Sequence, residues 1–439
     1  MIAAENISAE DRKFARRTLF FMHVIMFFKV FGFLALSESG GVNKAFKVVV
    51  SLLMTLFILI VTRKMIRKNY HFEFAYTQQL VLIFYVGYLL LGTISITWAA
   101  DKIFAVIQIF RDLDLFIFSI LFIRAMRAYN KEHGTTYDLS YFFVYTVFLN
   151  ALYFFHGHFA DPDKFMRLTH GGTVARLGGL IMNPNELGML CSFGGACVLL
   201  QLPLAKRKFI LIVILGIDLY TMFLTGSRSS SIGFVLVAGT YAMLSDNKTL
   251  KGLMIAGIVI AGPFVAKEVV FSEEKGGAEE VMSMTGRLPF WKALLTEALW
   301  KEPLLGYGFM NIYYTKYFQG KNTYPASMTH NTFVQVIMNL GLIGSTIVLF
   351  QMVFVFRALF SERSKQEQKV FLLLFIPIFI NSITEFGIWG ETNYGVLFYQ
   401  ILFLTLVIKN HEYFEGIKHV QIIPLRRAKN FDKHSKISD

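Results

Sequence analysis

Long apolar runs alternate with short polar connections through most of the chain. They centre near residues 19–36, 44–61, 79–97, 103–123, 140–156, 177–203, 209–224, 231–244, 252–266, 331–356, 370–388 and 393–408. A bilayer-crossing helix needs about 20 mostly apolar residues, so the pattern predicts about twelve transmembrane helices. The fold class is therefore all-α, a polytopic membrane protein forming one integral membrane domain over residues 1–439. One polar stretch, residues 267–330, breaks the rhythm and is expected to be a long loop containing short helices. Within it Thr285-Gly286-Arg287 leads into Pro289-Phe290-Trp291, which reads as a helix start with Thr285 as cap and Pro289 in the first turn. Pro303, Gly306 and Gly308 mark its end. Phe290, Trp291, Leu294, Leu295, Ala298 and Leu299 share one face, so this helix is expected to lie along the membrane surface or to cap a membrane cavity.

Composition agrees, with 55% hydrophobic residues, 16% aromatic and 46 Phe. The formal net charge of +13 would suit nucleic acid, but its distribution argues against that partner. With the N-terminus inside, loops assigned to the cytoplasm carry 27 of the 43 Lys and Arg residues, against 14 on the other side. That asymmetry is the positive-inside pattern, and it makes the 267–330 loop extracytoplasmic. Residues 409–439 then form a basic cytoplasmic tail suited to anionic membrane lipid. The polar start, MIAAENISAEDRKFARR, lacks the form of a cleavable signal, so the first span is expected to stay as an anchor. Cys191 and Cys197 lie in one span and imply neither a disulfide nor redox chemistry.

The first five spans read as scaffold. Lys29, the one charge in the first, is expected to snorkel, and Arg111 and Asp114 to pair at i,i+3. His156, His158, Asp161, Asp163 and His170 fit no dedicated metal spacing and are read as a solvated loop, with chelator-insensitive activity expected. Asn183-Pro184-Asn185 is expected to break the sixth span beside Arg176, either lining a cavity or merely kinking a packed helix. Arg228 lies in the hydroxyl-rich turn Thr225-Gly226-Ser227-Arg228-Ser229-Ser230-Ser231, where a guanidinium fork suits a phosphate; the alternative is a polar hairpin tip. Arg287 at a helix start favours an anion. His330 opens the tenth span, either as a ring placed to accept a proton or as an interfacial anchor. Glu385, Glu391, Asn393 and Tyr394 either line the same cavity or satisfy helix ends.

The order of Arg176-Leu177-Gly178-Gly179, Asn183-Pro184-Asn185-Glu186-Leu187-Gly188, Thr225-Gly226-Ser227-Arg228, Thr285-Gly286-Arg287, Gly306-Tyr307-Gly308 and His330-Asn331 resembles the O-antigen ligase and polymerase family of bacterial envelope glycosyltransferases. The resemblance runs from Arg176 to Tyr394. It implies a metal-independent, inverting transferase without cofactor, in the bacterial inner membrane with its active site facing the periplasm. Its donor would be an undecaprenyl-diphosphate-linked glycan, and its acceptor lipid A-core or a second carrier-linked glycan. Carried over, Arg228 and Arg287 hold the diphosphate, Arg176 supports them, and His330 is the general base. Asn185, Asn331 and Tyr307, from the same motifs, are assigned to the diphosphate or glycan, with Glu186 as a backup base.

Chemistry points the same way independently. A departing diphosphate needs its charge stabilised, which fixed arginines supply in place of a metal. The acceptor hydroxyl needs a base near neutral pH. The leading reading is O-antigen ligase, in lipopolysaccharide biosynthesis, because one compact outer loop holds the polar features. The alternatives are a polysaccharide polymerase joining carrier-linked repeat units and, in another class, a lipid-linked glycan transporter. Lengthened glycan made without lipid A-core would favour the polymerase, and carrier transport in proteoliposomes the transporter.

Overall fold

The computed structural model describes residues 9–67, 74–169, 172, 174–246, 248–265, 267, 283–284, 287–310, 329–385 and 387–410. A helix lies over each apolar run. In order these are α1 (Ala9–Phe31), α2 (Gly40–Arg67), α3 (Gln79–Ser95), α4 (Lys102–His133), α5 (Leu139–Ala160), the single turn α6 (Pro162–Phe165), α7 (Pro184–Gln201), α8 (Lys208–Leu224), α9 (Arg228–Met243), α10 (Lys248–Val265), α11 (Arg287–Ala293), α12 (Thr332–Glu362), α13 (Lys365–Thr384) and α14 (Tyr394–Val407). By length and composition, α2, α5, α12 and α13 are apolar enough to cross a membrane. Two small antiparallel ladders join them: β1 (Phe74–Tyr76) with β4 (Ile408–Asn410), and β2 (Met166–Thr169) with β3 (Val174–Leu177).

Side chains buried and exposed are arranged for lipid. The perimeter exposes Leu52, Leu56, Phe57 and Ile60 on α2 and Ile210, Ile212 and Val213 on α8, while the interior buries Lys29, Asp112, Asp114, Asp218 and Gln400. Charge kept inside and large apolar groups kept outside is the pattern a bilayer selects. At the centre stands α7, buried from Leu187 to Leu200 and packed on α5, α8, α9 and α13. Gly188 permits this: a Cβ there would lie 2.6 Å from Ser230 Oγ and 2.8 Å from Thr225 Oγ1, so the α8–α9 turn presses directly on the α7 backbone.

Several expectations need correcting. Pro184 starts α7 rather than breaking a span, because at N1 its missing N–H costs nothing and Asn183 caps the helix by accepting from Asn185 N at 2.9 Å. The break falls instead inside α12, at Gly341 (φ +63°, ψ −162°). There the freed carbonyls of Met338 and Asn339 accept from Tyr307 N and Gly308 N at 2.9 Å. The amides of Leu342 and Ile343 donate to Pro303 O and Leu304 O at 2.8 and 3.2 Å. The Gly306-Tyr307-Gly308 motif therefore fills a broken helix, whose backbone groups must be satisfied by protein. A Cβ on Gly306 (φ +66°) would lie 2.6 Å from the Asn339 carbonyl carbon.

Lys29 does not snorkel. Its Nζ is buried and donates to Asp114 Oδ2 at 2.8 Å, Ser51 Oγ at 2.7 Å and Thr55 Oγ1 at 3.0 Å. The expected Arg111–Asp114 pair is thereby replaced, and Arg111 Nη2 donates to Thr392 O at 3.1 Å. The predicted loop after α5 is ordered as α6 and the β2–β3 hairpin, with Asp161 capping α6. Of the tail, Lys409 and Asn410 pair with β1, while 411–439, like Thr285 and His170, lie outside the described residues.

Candidate active site

The starts of α7, α9, α11 and α12 and the end of α13 meet at one end of the bundle. Their meeting point is Glu385, the residue after α13, whose side chain is 5% exposed. Its Oε1 accepts from Asn185 Nδ2 at 2.7 Å and from Arg287 Nη2 at 3.0 Å. Its Oε2 accepts from His330 Nδ1 at 2.7 Å. Arg287 Nη1 also donates to the carbonyl of Thr384. Asn185 relays the contact onward, since its Oδ1 accepts from Arg176 Nη2 at 2.5 Å, and Arg176 Nε donates to Thr225 O at 2.6 Å.

Local sequence explains each placement. Asn183 and Pro184 fix the first turn of α7 and so present Asn185. Ser227 caps α9 and hydrogen-bonds Ser230 Oγ at 2.7 Å, placing Arg228 as the first helical residue. The predicted loop helix begins at Arg287, then opens into a π-helical turn over Leu294–Ala298 and a 3₁₀ turn over Leu299–Lys301. Its apolar face packs inside the protein against Tyr307, Val334 and Met338, through Phe290, Trp291, Leu294, Ala298 and Leu299. Trp291 Nε1 donates to Thr329 O at 2.6 Å, so this helix anchors the backbone next to His330.

His330 has φ +49°, a left-handed conformation sparsely populated by residues other than glycine. Such strain persists where the surroundings dictate it. Here Asn331 caps α12 through Phe333 N and Val334 N, both 2.9 Å from its Oδ1, and its Nδ2 donates to Ile383 O at 2.9 Å. With Nδ1–H held by Glu385, the basic lone pair of a neutral His330 ring lies on Nε2, and the side chain is 23% exposed.

The charges are not balanced. Arg176 lies close enough to Arg228, Arg287 and Arg167 for all three to repel it. Burial lowers its pKa, Glu385 raises it, and the three like charges bring it to about 10, which leaves it cationic at neutral pH. Burial likewise pushes Glu385 upward, but the hydrogen bond and charge of His330, the Arg287 charge and the Asn185 amide hold it at about 2. Glu385 thus faces Arg287 and Arg176, with Arg228 and Arg167 near Arg176, an arrangement that favours an added anion.

Of the predicted site residues, Arg176, Asn185, Arg228, Arg287 and His330 come together. Asn331 adjoins them, with its amide bonded to helix ends. Tyr307 lies in the apolar cluster beneath the loop helix, where its hydroxyl donates to Ala298 O at 2.6 Å. The central role of Glu385 and the presence of Arg167 were not read from the sequence. Arg167 was foreshadowed: it and Arg176 are equidistant in sequence from the Gly171-Gly172 pair, and they face each other across the β2–β3 ladder.

Residues 189–349 match the family model described as O-antigen ligase, so the resemblance seen in the motifs holds across this segment, which contains Arg228, Arg287 and His330. Two relatives agree. The chain is 23% identical over 374 residues, 78% of its length and 74% of theirs, to the teichuronic acid biosynthesis protein TuaE of Bacillus subtilis (strain 168). It is 24% identical over 200 residues, 42% of its length and 47% of theirs, to "Putative polysaccharide ligase RC0486" of Rickettsia conorii (strain Malish 7). The apolar helices make the chain a membrane protein, and these likenesses support a role of the glycan ligase or polymerase type.

Proposed function

We propose that the protein transfers a glycan from undecaprenyl diphosphate to an acceptor hydroxyl, in its leading form as an O-antigen ligase acting on lipid A-core. The observation that carries this is Glu385 holding His330 through one oxygen and Arg287 through the other, which sets a base beside an anion site. His330 Nε2 takes the proton of the acceptor hydroxyl while the oxygen attacks the anomeric carbon. The bond from that carbon to the diphosphate breaks, and the diphosphate leaves with the electron pair. Arg228, Arg287 and Arg176 stabilise the departing charge, and Glu385 stabilises the imidazolium. A single displacement inverts the anomeric centre. The guanidinium groups supply the charge a metal otherwise would, and among the described residues no His, Cys, Asp or Glu group of metal-binding form occurs.

The Lys- and Arg-rich connections, at Lys206–Lys208 and at Arg363 and Lys365, lie at the opposite end of the helices from the site. This supports a site facing the periplasm. A second reading, polymerisation of carrier-linked repeats, draws support from the relative covering most of the chain, which is named for teichuronic acid biosynthesis. The test is purified protein with carrier-linked glycan and either lipid A-core or a second carrier-linked glycan, with products separated by size. A single addition to lipid A-core supports the ligase, a ladder without it the polymerase, and no product with either removes the transferase.

A further inference from the structure

Beside the arginine cluster, at the turn into α7, lies a cavity of about 250 Å³. Its walls include Phe33, Leu180 and Met182, and its charged groups are Lys47 from α2, Arg167 from β2 and Glu186 from α7. Neither Arg228 nor Arg287 lines it. The charges of Lys47 and Glu186 interact, yet neither side chain makes a hydrogen bond or ion pair with any described residue. This sets them apart from Glu385, both of whose oxygens are bonded. Glu391 lies within electrostatic reach of both places, since its charge interacts with Arg111 most strongly and then with Lys47, Lys44 and His330.

We propose that this cavity is the acceptor subsite and that it takes a saccharide bearing an anionic substituent, a carboxylate or a phosphate. This rests on the transferase reading above and adds the substrate class. A carboxylate that makes no hydrogen bond among the described residues is an acceptor for sugar hydroxyls, and a pair of cations at the cavity wall is a receptor for one anion. Glu186 holds the hydroxyls of the acceptor sugar, Lys47 and Arg167 hold its anionic group, and the accepting hydroxyl is directed toward His330.

The test is equilibrium binding to the full-length protein in detergent, using three oligosaccharides of one backbone that end in a uronic acid, a sugar phosphate or a neutral sugar. At least one anionic form is expected to bind about tenfold more tightly than the neutral one. Lys47→Gln is expected to erase that preference while leaving the affinity for undecaprenyl diphosphate unchanged. Arg167→Gln, at an exposed strand position, is the second variant should the first fail to fold, and it is expected to erase the same preference. Glu186→Gln weakens all three saccharides. Which anionic form binds distinguishes carboxylate from phosphate. Equal binding of the three, no binding of any, preference retained in Lys47→Gln and Arg167→Gln, or competition between saccharide and undecaprenyl diphosphate would overturn the proposal. Failure of undecaprenyl diphosphate to bind, with saccharide preference intact, would instead remove the donor reading.

Discussion

Two regions of the bundle bury a carboxylate among cationic and polar side chains, and their surroundings differ in kind. Asp114 in α4 receives Lys29, Ser51 and Thr55, while Lys29 is enclosed by the same groups, so one positive charge meets one negative with 0% and 5% of the side chains exposed. Glu385 is as deeply buried, but it meets the cations Arg287 and Arg176, and its partners Arg287 and His330 remain 12% and 23% exposed. The closed, neutral pair has nothing further to bind. The open, cation-rich cluster does, and its exposed side holds the His330 ring. Burial of charge alone therefore does not mark a functional site in a membrane protein; imbalance together with access does.

The contrast can be broken most severely on the open side. His330→Ala or Arg287→Ala should lower transfer by the purified protein about 100-fold or more while insertion into the membrane is retained. Near-normal product from either variant would place the chemistry elsewhere. Glu385→Gln should lower transfer by about 10²-fold, because the ring loses the partner that orients it and stabilises its charged form. On the closed side the prediction reverses. Lys29→Met should lower stability by ~3 kcal/mol by stranding Asp114, yet the folded fraction should keep its specific activity. Lys29→Met with Asp114→Leu should recover most of that stability, measured by thermal unfolding in detergent.

The smallest effect is one of pH. Glu385 is held at about 2, below the value of about 4.3 typical of an unfolded chain. A lowered folded pKa contributes stability that is complete above about pH 4.3 and is lost as pH falls from there through about 2. Thermal unfolding followed across that window should show the loss in the wild type and a flatter profile in Glu385→Gln. Equal slopes would mean that Glu385 does not hold this network together.

Hydropathy made the helices legible, since burial in lipid imposes a long, locally readable pattern, and Arg287 at a helix start and Pro303 at its stop were visible for the same reason. What stayed hidden was set by partners distant in sequence or by backbone angles. Glu385 meets His330, Arg287 and Asn185 across separations of 55, 98 and 200 residues, and Lys29 meets Asp114 across 85. No local window reports such pairs. The break at Gly341 lies inside an unbroken apolar run, where hydropathy is blind to a change of φ. Pro184 misled because a proline near a span end reads equally as a break or as a first turn, and only the cap on Asn183 decides between them.

The most direct measurement is the affinity of the purified protein for undecaprenyl diphosphate, compared with undecaprenyl monophosphate and across Arg176→Gln, Arg228→Gln and Arg287→Gln. The imbalance of charge around Glu385 predicts that the diphosphate binds more tightly than the monophosphate and that each substitution weakens it about tenfold, or ~1.4 kcal/mol. Affinity unchanged by all three substitutions, or no preference for the second phosphate, would contradict it.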